Sequence, residues 1–273
     1  MNMRANFGLY GAVVLLASAV SQNVFSQSLT LDFNNDSNGN NIVHGQVIDN
    51  EYASLGVDIW AVNNSNGPDL ATVYSSSGAI PNNFDEDLRA SFSGGNAQNT
   101  QAGNLLILQE NDYRCGDGVC DRADDEGSRP AGALYIDFNQ AIESTSFDLI
   151  DVEQVETSGA NLSLLDANRN VISGSTIDFD LLDNAGSFGQ DGSVSFGDNF
   201  YNSIQTIFFS ALNLTQDVFG LKFDLGGSGA INNVTVDYAS VSSVPEFDAS
   251  TAPISLALLG GLMALRREKN RRK

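Results

Sequence analysis

Between residues 27 and 240 the apolar positions come in short runs that tend to alternate with polar ones. The runs are "SLTLDF" (28–33), "LGVDIWAV" (55–62), "NLLILQ" (104–109), "ALYIDF" (133–138), "TSFDLIDV" (145–152), "STIDFDLL" (175–182), "SIQTIFFS" (203–210), "VFGLKFDL" (218–225) and "INNVTVDY" (231–238). Period two with β-branched and aromatic residues is the mark of a strand that buries one face. Clusters of Gly, Asn, Asp and Ser separate the runs, and these residues favour turns. No stretch of the region keeps a 3.6-residue apolar period over three turns, so no helix would have a stripe to bury. The pattern predicts an all-β domain over 27–240, an antiparallel β-sandwich of jelly-roll-like arrangement. Long connections are expected between Asn63 and Asn104, and "NQAIES" separates two runs.

Both ends of the chain read differently. Arg4 precedes "FGLYGAVVLLASAV" and then small polar residues, the layout of a secretory signal peptide over 1–26, with cleavage after Ser26 or after Ser21. Residues 241–273 read as a linker, an apolar span from Ala252 to Leu265, and the basic run "RREKNRR". As a helix the 14-residue span reaches about 21 Å at 1.5 Å per residue, short of a ~30 Å hydrocarbon core. Arg266 and Arg267 would act as the membrane stop on the cytoplasmic side, snorkelling to close the gap. A permanent C-terminal anchor is the competing reading.

"VPEFDASTAPISLALLGGLMALRR" resembles a PEP-CTERM sorting signal, and most of all its VPEID variant. Val244, Pro245, Glu246 and Asp248 match the motif, and Phe247 stands where that variant has Ile. The resemblance implies export through the general secretion machinery, a transient stage in the inner membrane, and recognition there by an exosortase-type processing enzyme. It also implies a final place at the cell surface or outside the cell, in bacteria that make exopolysaccharide. "IDNEYASLGVDIW", "DDEGSRPAGALYIDF" and "GSGAINNVTVDY" are similar to segments of other exported domains of this kind, which implies a sandwich fold and a surface role and supplies no catalytic residues.

Charge narrows the partners. Of 34 acidic residues only Glu246, Asp248 and Glu268 lie in the tail, whereas seven of 13 basic residues are Arg4 and the six from Arg266 onward. The middle is left with 31 acids against 6 bases. Such a surface repels phosphate backbones, which excludes nucleic acid and suits divalent cations and neutral glycans.

"DFNNDSNGNN" sets Asp32, Asp36 and Asn38 at even spacing before Gly39, like the oxygen-rich start of a calcium loop. Gly45 stands where an EF-hand needs its bidentate glutamate. A calcium site there would need oxygens from elsewhere, with Asp237 on the last strand as donor; a plain polar turn is the other reading. Cys115 and Cys120 are close enough to bridge, and export favours a disulfide. Asp117, Asp121, Asp124, Asp125 and Glu126 form a second acidic cluster around them, either another calcium-binding loop or ordinary solvated charge that pairs with Arg114, Arg122 and Arg129. His44 is the one histidine, and no serine sits in a nucleophile-elbow sequence. No catalytic residue is assigned. Trp60, Tyr52, Tyr74 and Tyr113 either stack on sugar rings or, for Trp60 above all, fill the core. The functional expectation is a non-catalytic surface or matrix protein that binds glycan and calcium; a secreted glycan-active hydrolase or lyase is the alternative.

Overall fold

A computed structural model describes residues 27–77, 85–98, 101–125, 128–182 and 194–240, all within one compact unit, Ser26–Ser240. The expected signal peptide, linker, sorting motif, apolar span and basic end lie outside the described residues, as does Glu126. The described residues form ten strands: β1 (Ser28–Leu31), β2 (Val57–Asn63), β3 (Ala71–Ser75), β4 (Asn104–Leu108), β5 (Gly132–Ile150), β6 (Asn161–Leu165), β7 (Ile177–Asp178), β8 (Tyr201–Phe208), β9 (Val218–Leu225) and β10 (Ala230–Tyr238). Every pairing between these strands is antiparallel, and together they make one hydrogen-bonded sheet. The fold is all-β, as the alternation predicts.

β5 organises the sheet. The sequence suggests two strands flanking "NQAIES", yet the strand runs through that segment for 19 residues. Its first half pairs with β2 on one side and β9 on the other. Its second half pairs with β8 and β10. The register slips between Asp137 and Ile142 against β9, and between Thr145 and Phe147 against β8. Such irregularities let one strand bend and exchange neighbours.

One hydrophobic cluster spans both halves, joining Ile59 of β2, Ile136 and Phe147 of β5, Leu221 and Phe223 of β9 and Val234 of β10. Phe147 and Phe223 meet edge to face at 5.0 Å. β4 is buried at all five positions: Leu106 and Leu108 enter this cluster, while Leu105 and Ile107 enter a second one with Tyr74, Leu88, Ile150 and Tyr201. That is why its apolar run is continuous rather than alternating.

β3 and β6 are absent from the runs that alternate in the sequence. β3 lies inside the segment expected to be a long connection and is buried at four of its five positions, so it shows no polar face. β6, "NLSLL", is leucine-rich, and leucine carries no strand preference of its own. "STIDFDLL" contributes only the two residues of β7, followed by a 3-10 turn over Phe179–Leu181.

Candidate functional site

In β2 the side chains of Val57, Ile59 and Ala61 are buried, which by the two-residue period sends Asp58 and Trp60 to the other face. On that face Trp60 is directly opposite Tyr135 of β5, and Tyr135 opposite Lys222 of β9. The Trp60 and Tyr135 rings stack with centroids 3.7 Å apart and planes 7° from parallel. Trp60 is therefore a half-buried surface residue and not part of the core. The Lys222 ammonium lies 5.9 Å from the Tyr135 ring centre, and the Arg169 guanidinium 5.2 Å from that of Trp60.

Polar groups lock this row in place. Trp60 Nε1 donates to Asp137 Oδ2 at 2.8 Å. Arg169 Nε bonds the same oxygen at 2.8 Å, and its Nη2 reaches Asp58 Oδ2 at 2.6 Å. Burial pushes the Asp137 carboxyl up, while the indole and Arg169 pull it back. Beside the row is a groove of about 680 Å³ lined by polar residues that include Asp58, Asp137, Asn139, Asp166 and Arg169, and by the apolar Ala53, Val57, Phe138, Ala167 and Phe219. Gly56 sits on its wall at φ +74°, where a Cβ would come within 2.2 Å of the Asn139 amide.

Arg169 is delivered by a turn. Asp166 Oδ1 accepts the backbone N–H groups of Asn168 and Asn170, and the Asn170 amide bonds the same carboxylate. These bonds hold the Asp166 carboxyl below its ordinary range.

The same turn recurs at the loop read as a calcium site. Asp36 Oδ1 accepts the N–H groups of Asn38 and Asn40, and Oδ2 accepts the Asn40 amide. "DSNGN" and "DANRN" are thus one Asp-x-Asn-x-Asn turn used twice, with Gly39 and Arg169 in the left-handed conformation at the fourth place. The even spacing of Asp36 and Asn38 reflects that turn. Asp32 Oδ1 accepts the N–H of Asn34. Asp237 pairs with Ser28 while Val234 pairs with Leu31, so Asp237 stands at the far end of β1 from Asp32, about 13 Å along the strand. Its carboxylate accepts the Ser144 hydroxyl at 2.7 Å. The four oxygen ligands expected to act together are not brought together, because the register of β1 on β10 separates them.

Cys115 and Cys120 form a disulfide. The acidic residues around it are dispersed: Asp121 pairs with Arg114 at 3.0 Å, Asp124 with Arg122 at 3.0 Å, and Asp125 points inward. Arg129 turns instead to Glu153 and Glu156. His44 is structural, since its Nδ1 accepts the N–H of Ser75 at 3.1 Å and its ring packs edge-on against Tyr74; burial lowers its pKa. Tyr52 and Tyr74 are buried, and Tyr113 is 53% exposed.

Residues 244–273 match the model of the VPEID-CTERM protein sorting domain. The chain carries a VPEID-CTERM sorting domain. The match covers Val244, Pro245, Glu246 and Asp248 together with the apolar and basic segments that follow. A VPEID-CTERM domain marks an exported, cell-surface or extracellular protein and implies processing by an exosortase-type enzyme. No curated protein and no solved structure matches the chain. Among the described residues no helix is long and apolar enough to cross a membrane.

Proposed function

We propose that this is a non-catalytic exported protein, sorted through its VPEID-CTERM domain, that binds neutral glycan in the groove beside Trp60 at the cell surface or in the extracellular polysaccharide matrix. The precursor passes through the inner membrane on its way, held by the span 252–265 and stopped by Arg266 and Arg267. The observation that carries the glycan reading is the Trp60–Tyr135 pair on an outward sheet face, locked by Asp137 and Arg169, two residues that also line the adjoining groove. Flat aromatic faces bordered by amides and carboxylates suit sugar rings, which present apolar C–H faces and hydroxyl edges. In this reading the two halves of β5 belong to the facing layers of a jelly-roll-like sandwich, supported by the Phe147–Phe223 contact and the shared cluster.

A second reading, a glycan-active hydrolase or lyase, is favoured by one feature: Asp58 and Asp137 are direct partners across β2 and β5, beside an aromatic face. Glycoside cleavage needs such a pair. Arg169 binds both carboxylates at 2.6 and 2.8 Å, so one guanidinium occupies both groups and leaves neither free to protonate or attack a glycosidic bond, which favours binding over cleavage.

The test is co-sedimentation of the exported protein with exopolysaccharide from its host, alongside Trp60→Ala and an assay for new reducing ends or unsaturated products. Retention of the parent, loss in Trp60→Ala and no cleavage support the proposal. Equal retention of both proteins, or no retention of either, ends the glycan reading; product that disappears in Asp137→Asn establishes the enzyme instead.

A further inference from the structure

A pair of buried acids closes one end of the second apolar cluster. Asp85 and Asp125 are 5% and 3% exposed, and their carboxyl groups meet as hydrogen-bond partners. Each also fixes backbone. Asp85 Oδ1 accepts the N–H groups of Asp87 and Leu88, at 2.8 and 3.3 Å, in the turn that seats Leu88 against Tyr74, Ile107 and Tyr201. Asp125 Oδ2 accepts the N–H of Gly229 at 2.6 Å, just before β10. The pair thus ties the turn at 85–88 and the segment 121–125 to the start of β10, and Ala123 and Ala230 belong to the same cluster.

Ionised carboxylates only accept hydrogen bonds, so two of them cannot bond each other without a proton. With both groups ionised, Asp85 Oδ2 and Asp125 Oδ1 are buried without a donor; one O–H between the groups satisfies both. The surroundings place that proton on Asp125. Burial pushes its carboxyl well above the ordinary range, the charge of Asp85 and the bond to it add to the rise, Asp151 adds more, and the Gly229 bond pulls back. Asp151, 4% exposed, accepts the N–H of Asn199, whose amide donates to the carbonyls of Asp87 and Arg89; the charges of Asp87 and Asp198 act on it as well. The ion pairs of the neighbouring arginines run to other acids: Arg89 to Glu86, Arg122 to Asp124, and Arg129 to Glu153 and Glu156. The Tyr74 hydroxyl donates to the carbonyl of Asp85.

We infer that Asp125 keeps its proton at neutral pH and donates it to Asp85, and that this bond is a pH-sensitive latch over the second apolar cluster. When hydroxide takes the proton away as water, the pair passes from one negative charge to two, and attraction between the groups becomes repulsion. Relief comes when the turn at 85–88 or the segment 121–125 swings out to water, uncovering Tyr74, Leu88 and Phe92. In the open form the Asp125 carboxyl returns to about 3.9. Its stabilisation of the closed form is therefore complete below that value and is lost as pH rises through the raised one. Between the two values opening increases about tenfold per pH unit for each proton held, and above the higher value it levels off. Burial raises Asp151 to about 8, so it can add a second proton to that slope.

The test is hydrogen–deuterium exchange of the exported protein over a pH series from mildly acidic to alkaline, corrected for the intrinsic pH dependence of exchange. Asp125→Asn puts an N–H where the O–H stood and keeps the acceptor facing Gly229, so it should fold and stay latched throughout. Amides of 86–92 and 229–231 should lose protection more steeply in the parent than in this variant, by about tenfold per pH unit, while those of β9 keep theirs in both. Asp85→Asn keeps the acceptor for Asp87 and Leu88 but removes the charge that holds the proton, and should also flatten the slope. A slope that either folded variant leaves unchanged overturns the inference. So does a parent in which the 86–92 and 229–231 amides do not respond to pH, or open only together with β9.

Discussion

Trp60 lies flat on Tyr135, ring centroids 3.7 Å apart and 7° from parallel, because the two residues are direct partners across β2 and β5. Directly opposed aromatics on one face of an antiparallel pair stabilise the sheet by about 0.2–1 kcal/mol. Here Trp60 also bonds Asp137, which lines the groove to which the glycan reading commits.

Trp60 is the only tryptophan in the chain, so the emission reports on its surroundings alone, the Tyr135 ring, Asp137 and Arg169. Tyr135→Ala should shift the emission of the folded protein, and titration of the parent with a bound oligosaccharide should shift it saturably. Trp60→Ala should cost about 1–2 kcal/mol in chemical denaturation. An emission that a retained glycan leaves unchanged would place the ligand elsewhere.

Asp148 makes a prediction in pH. Its carboxylate accepts the Tyr201 hydroxyl at 2.5 Å and the Asn233 amide at 2.6 Å. Burial raises its pKa, and those two bonds offset the rise only in part. A carboxyl raised in the folded state contributes stability that is fully present below its unfolded value of about 3.9 and is lost as pH climbs through the raised value. The parent should therefore gain stability relative to Asp148→Asn on acidification towards pH 4. Urea denaturation over a pH series measures that difference, and a difference that stays constant or runs the other way contradicts it.

The Cys115–Cys120 bridge closes a loop with a sequence separation of 5. A loop that short removes little freedom from the unfolded chain, so replacing both cysteines by serine should cost less than the ~3 kcal/mol expected of a 15-residue loop. Alkylation of the exported, unreduced protein should find no free thiol; a modified Cys115 or Cys120 refutes the bridge.

The strands with clear alternation were legible. β9 coincides with "VFGLKFDL", and β10 starts one residue before "INNVTVDY". β4 was legible by its unbroken apolar run. β3 and β6 were not, since one hides both faces and the other is built from leucine. The unity of β5 could not be read, because "NQAIES" is polar enough for a turn and only pairing with β8, β9 and β10 keeps it extended. At the site, period two places Trp60 and Asp58 on one face, but strand register alone brings Tyr135, Asp137 and Lys222 beside them. The even spacing of Asp36 and Asn38 misled for a physical reason: a self-bonded turn and a calcium loop both place oxygens at alternate positions.

Sorting makes its own prediction. Pro245 and Glu246 belong to the matched motif. Replacing both by alanine should leave the precursor uncut in the inner-membrane fraction, with its β unit folded. A variant that is matured and released like the parent contradicts that role.

The most direct test of the account is the intact mass of the protein recovered from the cell surface or medium, with both termini sequenced. Export and exosortase-type processing predict a chain that begins at Gln22 or Gln27 and stops before Ala252, with any excess mass marking an attached group. A mature protein that still carries residues 252–265 would contradict the central claim that the tail is an address removed on delivery.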